Sequence, residues 1–81
     1  MVKRFLEDER TALEVKEHLE KERIEYLDSI QKEVSKMNFS EKENLMKFID
    51  GMQEREKGKL NITAERLNSV NRFLYSIEEH D

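Results

Sequence analysis

The stretch "LEVKEHLEKERIEYL", residues 13–27, carries a seven-residue repeat with a charge at its centre. Leu13, Glu20 and Leu27 are spaced seven residues apart, so in a helix they lie on nearly the same face. The face is therefore apolar at both ends of the stretch and charged in the middle. The companion positions of this face are predicted to be Glu9, Lys16 and Arg23.

The repeat extends in both directions from this stretch, through Leu6 and Val34. No Gly or Pro interrupts it, and we predict a first helix over residues 3–37. A second possibility is a break near Thr11. Thr11 and Glu14 have the spacing of a capping box, which marks a helix start.

Composition favours an all-α protein. The chain has 81 residues, of which 36% are hydrophobic and 42% are charged, with no Pro, two Gly and no Cys. So few apolar residues in so short a chain make a small core, and oligomerisation is a usual remedy for a small core. Without cysteine there is no disulfide framework and no thiolate metal site.

The formal net charge of −4 has the wrong sign for non-specific nucleic-acid binding, so nucleic acid is not the expected partner. No apolar run reaches the roughly 18 residues of a membrane span, and no signal peptide is recognised. We therefore expect a cytoplasmic protein with no membrane partner.

A second helix is predicted over residues 41–57. Ser40 and Glu43 have capping-box spacing, and a basic last turn precedes Gly58, a natural residue to end a helix. One face of this helix is apolar. It consists of Leu45, Phe48, Ile49 and Met52.

A third helix is predicted over residues 64–78, after a short connector. Thr63 is its expected N-cap, and Ile62 and Leu67 have the spacing of a hydrophobic staple. Its apolar stripe consists of Leu67, Val70, Phe73, Leu74 and Ile77.

The sequence gives little support for a catalytic site or a metal site. His18 lies one turn from both Glu14 and Glu22, and such a set can ligate zinc. A solvated, ion-paired surface explains the same spacing more simply in a chain so rich in Glu. We expect no enzyme activity, no cofactor and no metal.

The expected fold is therefore a long N-terminal helix plus a helical hairpin, as a three-helix bundle or a dimeric helical bundle or coiled coil. A homodimer is predicted, because the apolar ends of the first helix need to be covered. The predicted helix-packing or partner interface consists of Phe5, Leu6, Leu13, Leu19, Tyr26, Leu27, Ile30, Val34, Leu45, Phe48, Ile49, Met52, Leu67, Val70, Phe73, Leu74 and Ile77.

These features favour a small regulatory or protein–protein interaction module that acts through helical surfaces. An alternative is an acidic inhibitor, such as a phage or plasmid counter-defence protein, that occupies a basic groove of its target. Its acidic face would consist of Glu14, Glu17, Glu20, Glu22 and Glu25. A lesser alternative is a helical DNA-binding regulator that uses Arg66 and Arg72 of the third helix.

Overall fold

The computed structural model describes the backbone of residues 1–80 and the side chains of residues 1–79. This part of the chain is all-helical, as predicted, and consists of α1 (Val2–Ser35) and α2 (Lys42–His80). Residues 36–41 join the two helices. The chain forms a rod with dimensions of 63 × 16 × 14 Å.

The two helices form an antiparallel hairpin. Three interhelical contacts define their alignment, namely Gln31 with Asp50, Glu20 with Thr63, and Lys3 with Glu78. The residue numbers of each pair add up to between 81 and 83. A residue n of α1 therefore lies level with about residue 82 − n of α2.

The face of α1 that packs on α2 follows the seven-residue repeat. Its buried residues are Leu6, Leu13, Glu20, Leu27 and Val34. Of the half-buried residues between them, Arg10, Glu17, Ile24 and Gln31 continue the same face. The two sets alternate at spacings of four and three residues, which keeps them on one side of a helix. We call these positions, together with those of α2 that face them, the seam.

The prediction of Glu9, Lys16 and Arg23 as companion positions is wrong, because all three are exposed. The half-buried residues lie one position later in each case. In a helix, the residues three and four positions after a leucine both neighbour it. Because α2 packs on the side of α1 that carries the residues four positions after each leucine, those residues are the half-buried ones.

The seam of α2 has the same spacing and runs through the region predicted to be a connector. Its residues are Met46, Ile49, Gln53, Glu56, Leu60, Thr63, Leu67, Val70, Leu74 and Ile77, all buried or half-buried. The spacing of three and four residues has no phase break. The predicted helices 41–57 and 64–78 are therefore one helix, and the prediction of two was wrong.

Gly58 and Thr63 are predicted to end one helix and to begin the next, and neither prediction is correct. Gly58 lies inside α2 and does not have a positive φ, so it is not the C′ residue of a helix. Thr63 is buried in the seam and does not cap a helix. A helical Gly costs about 1 kcal/mol relative to Ala. Leu60, half-buried, and Thr63, buried, continue the seam on the far side of Gly58, and their burial opposes that cost.

The two other capping signals also lie in different settings from those predicted. Thr11 is inside α1, where its hydroxyl donates to the Glu7 carbonyl at 3.2 Å, so the helix continues without a break. At the start of α2, the Asn44 amide donates to the Glu41 carboxylate at 2.7 Å. No bond between Ser40 and Glu43 is found among the side-chain hydrogen bonds of the described residues.

Replacement of Gly58 by Ala distinguishes a continuous helix from a helix end. No atom lies within 4 Å of a Cβ built on Gly58 or Gly51. In a continuous helix, Gly58→Ala should raise the free energy of unfolding by about 1 kcal/mol. At a left-handed C′ position the same change should lower it.

Gly51→Ala is the matched control, because both interpretations place Gly51 inside a helix. Urea unfolding followed by far-UV circular dichroism, at one fixed protein concentration, measures both effects. A loss of stability in Gly58→Ala together with a gain in Gly51→Ala would contradict the continuous helix.

Candidate interaction surface

The seam has a polar contact near its middle. The Thr63 hydroxyl donates to Oε1 of Glu20 at 2.6 Å, and the two residues are only 1% and 7% exposed. Oε2 of Glu20 has no hydrogen-bond partner among the described residues. Gln53, at 9% exposure, is a further buried polar residue. Hydrogen bonding therefore replaces apolar packing at the centre of the hairpin.

The residues next to the seam form two flanks of different character. We call the side that precedes each seam position the apolar flank. In α1 it consists of Phe5, Glu9, Ala12, Lys16, Leu19, Arg23, Tyr26, Ile30 and Glu33. In α2 it consists of Leu45, Phe48, Met52, Arg55, Lys59, Ile62, Arg66, Ser69, Phe73 and Ser76. Because the seam keeps its seven-residue repeat, these positions stay on one side of each helix.

A groove at the open end of the hairpin shows that the two helices contribute to the same flank. Phe5 and Glu9 of α1 and Arg66, Ser69 and Phe73 of α2 line it together. Leu6, Leu13 and Val70 form its floor, and Glu65 lies at its edge. Its volume is about 460 Å³. Phe5 is 59% exposed and Phe73 50%, so the groove has two accessible aromatic walls.

A second apolar patch lies at the opposite end of the same flank, beside the connection between the helices. Phe48 is 64% exposed and Leu45 36%, while Met52 and Ile30 are half-buried. From the alignment of the helices, Met52 lies level with Ile30. The flank is thus apolar at both ends.

Between these two ends, the apolar flank carries a group of cations. Lys16 lies level with Arg66, and Arg23 lies level with Lys59. We call these four residues the central cation cluster. Leu19 and Ile62 lie between the two pairs and are 57% and 51% exposed.

The polar flank, which follows each seam position, has almost no apolar surface. In α1 it consists of Glu7, Thr11, Glu14, His18, Lys21, Glu25, Asp28, Lys32 and Ser35. In α2 it consists of Lys47, Asp50, Glu54, Lys57, Asn61, Ala64, Asn68, Asn71, Tyr75 and Glu78. Tyr75 is its one large apolar side chain in the described part of the chain. It also holds Asp50 and Glu78, which contact the other helix.

The residues predicted as interface divide between the seam and the apolar flank. Those in the seam are Leu6, Leu13, Leu27, Val34, Ile49, Leu67, Val70, Leu74 and Ile77. Those on the apolar flank are Phe5, Leu19, Tyr26, Ile30, Leu45, Phe48, Met52 and Phe73. The first set is covered by the partner helix within one chain. The second set remains accessible to another molecule.

The residues predicted as one acidic face do not share one surface. Glu20 lies in the seam, and the structure removes it from the exposed face. Glu14, Glu17 and Glu22 have basic neighbours one turn away, which are Arg10 at 3.9 Å, Lys21 at 3.6 Å and His18 at 3.0 Å. Glu25 is exposed on the polar flank.

His18 contacts one carboxylate at an exposed site and is not part of a ligand cage. The side chains of His18 and Glu22 are 71% and 59% exposed. Among the described residues, no group of three or more His, Cys, Asp and Glu is placed to hold a metal ion. Neither helix, over its described residues, contains a stretch that is long and apolar enough to cross a lipid bilayer.

Comparisons with known proteins give no relative for this chain. No family model matches it, and neither a curated protein nor a solved structure matches it at a significant level.

The hydrogen bond from Thr63 to Glu20 should be measurable as stability. Thr63→Val keeps the shape of the side chain but leaves the buried carboxylate without its donor. We expect the free energy of unfolding to fall by about 1–3 kcal/mol. In the double variant Glu20→Leu/Thr63→Val the contact between these two positions becomes apolar, and stability should return to at least the original value.

Urea unfolding of the original protein, the two single variants and the double variant gives the coupling energy between the two positions. Thr63→Val with unchanged stability would show that water, and not Thr63, solvates the carboxylate in solution.

Proposed function

We propose that this protein is a small, non-enzymatic regulatory or protein–protein interaction module, and that it binds helical surfaces through its apolar flank. The observation that carries the proposal is the segregation of exposed apolar side chains. Met1, Val15, Met37, Phe39 and Tyr75 are exceptions. The other exposed large hydrophobic residues lie on this flank, and Val2 continues its register toward the start of α1. Contiguous apolar surface of this kind is typical of interaction sites.

The total surface area supports the same conclusion. The accessible surface is 6448 Å² for a chain of 9.8 kDa. A compact monomer of that mass exposes about 5,200 Å². A single hairpin therefore leaves more surface accessible than a folded domain of its size usually does, and a helix packed along the apolar flank would cover part of the excess.

We also propose that the chain forms a homodimer through this flank when no other partner is bound. The seam leucines of α1, Leu6, Leu13 and Leu27, are covered by α2, so they no longer require a second copy. A second copy would instead cover the exposed aromatic residues at the two ends of the flank, which are Phe5, Phe48 and Phe73. The spacing of three and four residues in both helices favours coiled-coil packing within each hairpin. Two hairpins placed face to face would make a four-helix bundle.

The acidic-inhibitor alternative has weaker support. Nucleic-acid mimicry requires carboxylates that are free to meet the cations of a target. Glu20 is buried, and Glu14, Glu17 and Glu22 lie close to basic side chains of their own helix.

A pair of matched substitutions tests the proposed function. Phe48 is 64% exposed on the apolar flank, and Tyr75 is 66% exposed on the polar flank. Phe48→Glu should convert a dimer of about twice the 9.8 kDa chain mass to a monomer, because it places a charge within the apolar contact. Tyr75→Glu should leave the dimer intact.

Size-exclusion chromatography with light scattering, at micromolar concentrations, gives the masses, and circular dichroism checks that both variants stay helical. Dimer dissociation by both substitutions would refute the apolar flank as the contact. A monomeric mass for the original protein would refute the homodimer.

A further inference from the structure

The apolar flank differs from the rest of the molecule in the sign of its charge. The chain as a whole has a formal charge of −4. The flank nevertheless carries five cations, which are Lys16, Arg23, Arg55, Lys59 and Arg66, against two carboxylates, Glu9 and Glu33. The two carboxylates lie toward the ends of the flank. Four of the five cations lie in its middle third, and Arg55 lies just outside it. An interaction surface with this pattern attracts negative charge at its centre.

Four of these five cations have no ionic partner among the described residues. Lys59 lies 3.5 Å from Glu56. For Lys16, Arg23, Arg55 and Arg66, no carboxylate among the described residues lies within the 4.0 Å of an ion pair. All five are exposed. Arg23 contacts the ring of Tyr26, with 5.7 Å between the guanidinium carbon and the ring centre. Their charges are thus available to a molecule that binds the flank.

A second copy of the chain cannot neutralise the central cation cluster. The cluster lies near the middle of the rod, where Lys16 is level with Arg66 and Arg23 with Lys59. Whether two hairpins pair in parallel or in antiparallel orientation, full overlap of the flanks places one cluster against the other. Like charges across an interface oppose association. This repulsion should lower the affinity of the homodimer without preventing it from forming, and the affinity should rise as salt screens the repulsion.

We infer that the preferred occupant of the apolar flank is an acidic amphipathic helix of another protein. This inference rests on the proposed function and names the chemistry of its partner. The apolar side chains of such a helix would contact Leu19 and Ile62 and reach the groove at Phe5 and Phe73. Its carboxylates, placed beside the apolar stripe in its central turns, would meet the central cation cluster. A helix of about 22 residues, roughly 33 Å long, spans the cluster and one apolar anchor on each side.

The shape of the flank favours a helix over a lipid surface or a nucleic acid. The open-end groove is concave and is floored by Leu6, Leu13 and Val70, so it suits an inserted side chain better than a flat bilayer. Glu9 and Glu65 also line it, and they would repel lipid or nucleic-acid phosphates. The exposed apolar residues between the cations, Leu19 and Ile62, have no counterpart in a phosphate backbone.

The experiment uses three labelled helical peptides of about 22 residues that share one stripe of Leu and Phe. Glu, Gln or Lys occupies the positions beside that stripe in the central turns. Fluorescence anisotropy with the full chain should show the Glu peptide binding at least about tenfold more tightly than the Gln peptide, and the Lys peptide binding most weakly. Affinity for the Glu peptide should fall as salt rises from about 0.05 M to about 0.5 M.

Two variants with the same change in net charge serve as a matched pair. One replaces the central cation cluster, Lys16, Arg23, Lys59 and Arg66, with Gln. The other replaces four cations of the polar flank with Gln, namely Lys21, Lys32, Lys47 and Lys57. The first variant should lose the preference for Glu over Gln and should dimerise more tightly than the original protein. The second should retain both properties, with circular dichroism confirming that the two variants are equally helical.

Several results would overturn the inference. Equal binding of the Glu and Gln peptides would remove the role of charge while leaving the apolar flank as a helix-binding surface. Equal effects of the two variants would show that net charge alone matters. Failure of all three peptides to bind would also overturn the inference. The dimerisation experiment with Phe48→Glu would then test the proposed function independently. Binding through the central cation cluster to vesicles of equal parts phosphatidylcholine and phosphatidylserine, or to a DNA duplex, without binding of the Glu peptide would assign the flank to phosphate.

Discussion

The structure depends on one constraint, the unbroken alternation of three- and four-residue steps along the seam of both helices. A helix of 3.6 residues per turn keeps such positions on one side only while the phase is maintained. In α2 the alternation runs from Met46 to Ile77 across the predicted connector. Because the phase is kept, every residue of α2 has a fixed place relative to α1. The two flanks, the groove and the central cation cluster all follow from that alignment.

The sequence predicts the fold class and the face of α1 that packs, but not the number of helices. The repeat from Leu6 to Val34 is sufficient to predict α1, because four of its five positions are apolar and no Gly or Pro interrupts it. In α2, Gly58 and Thr63 have the residue types of helix ends, and these local signals predict a connector where the phase of the apolar residues predicts a continuous helix. The phase was the better signal. Leu60 and Thr63 continue the spacing set by Ile49 and Gln53, which a true connector would have interrupted.

The sequence predicts only part of the candidate surface. It indicates which apolar residues form an interface, but it does not show which of them belong to the seam and which to the apolar flank. A stripe on one helix does not show from which side the second helix approaches. The wrong prediction of Glu9, Lys16 and Arg23 as companion positions has the same cause. Lys16 and Arg23 were placed toward the partner helix, whereas they lie beside it, where they become part of the flank. Only the alignment with α2 brings Arg66 and Lys59 next to them.

The buried contact of Glu20 with Thr63 suggests why a polar centre is tolerated in so small a core. An all-leucine seam would be equally apolar at several registers, so it would not distinguish between them. If one helix moved by seven residues, Glu20 would face Val70 or Glu56, and neither supplies a hydrogen-bond donor from its side chain. The carboxylate therefore penalises the wrong registers more than the correct one. In the correct register the cations of both helices lie level, so the contact that aligns the seam also assembles the charge on the surface beside it.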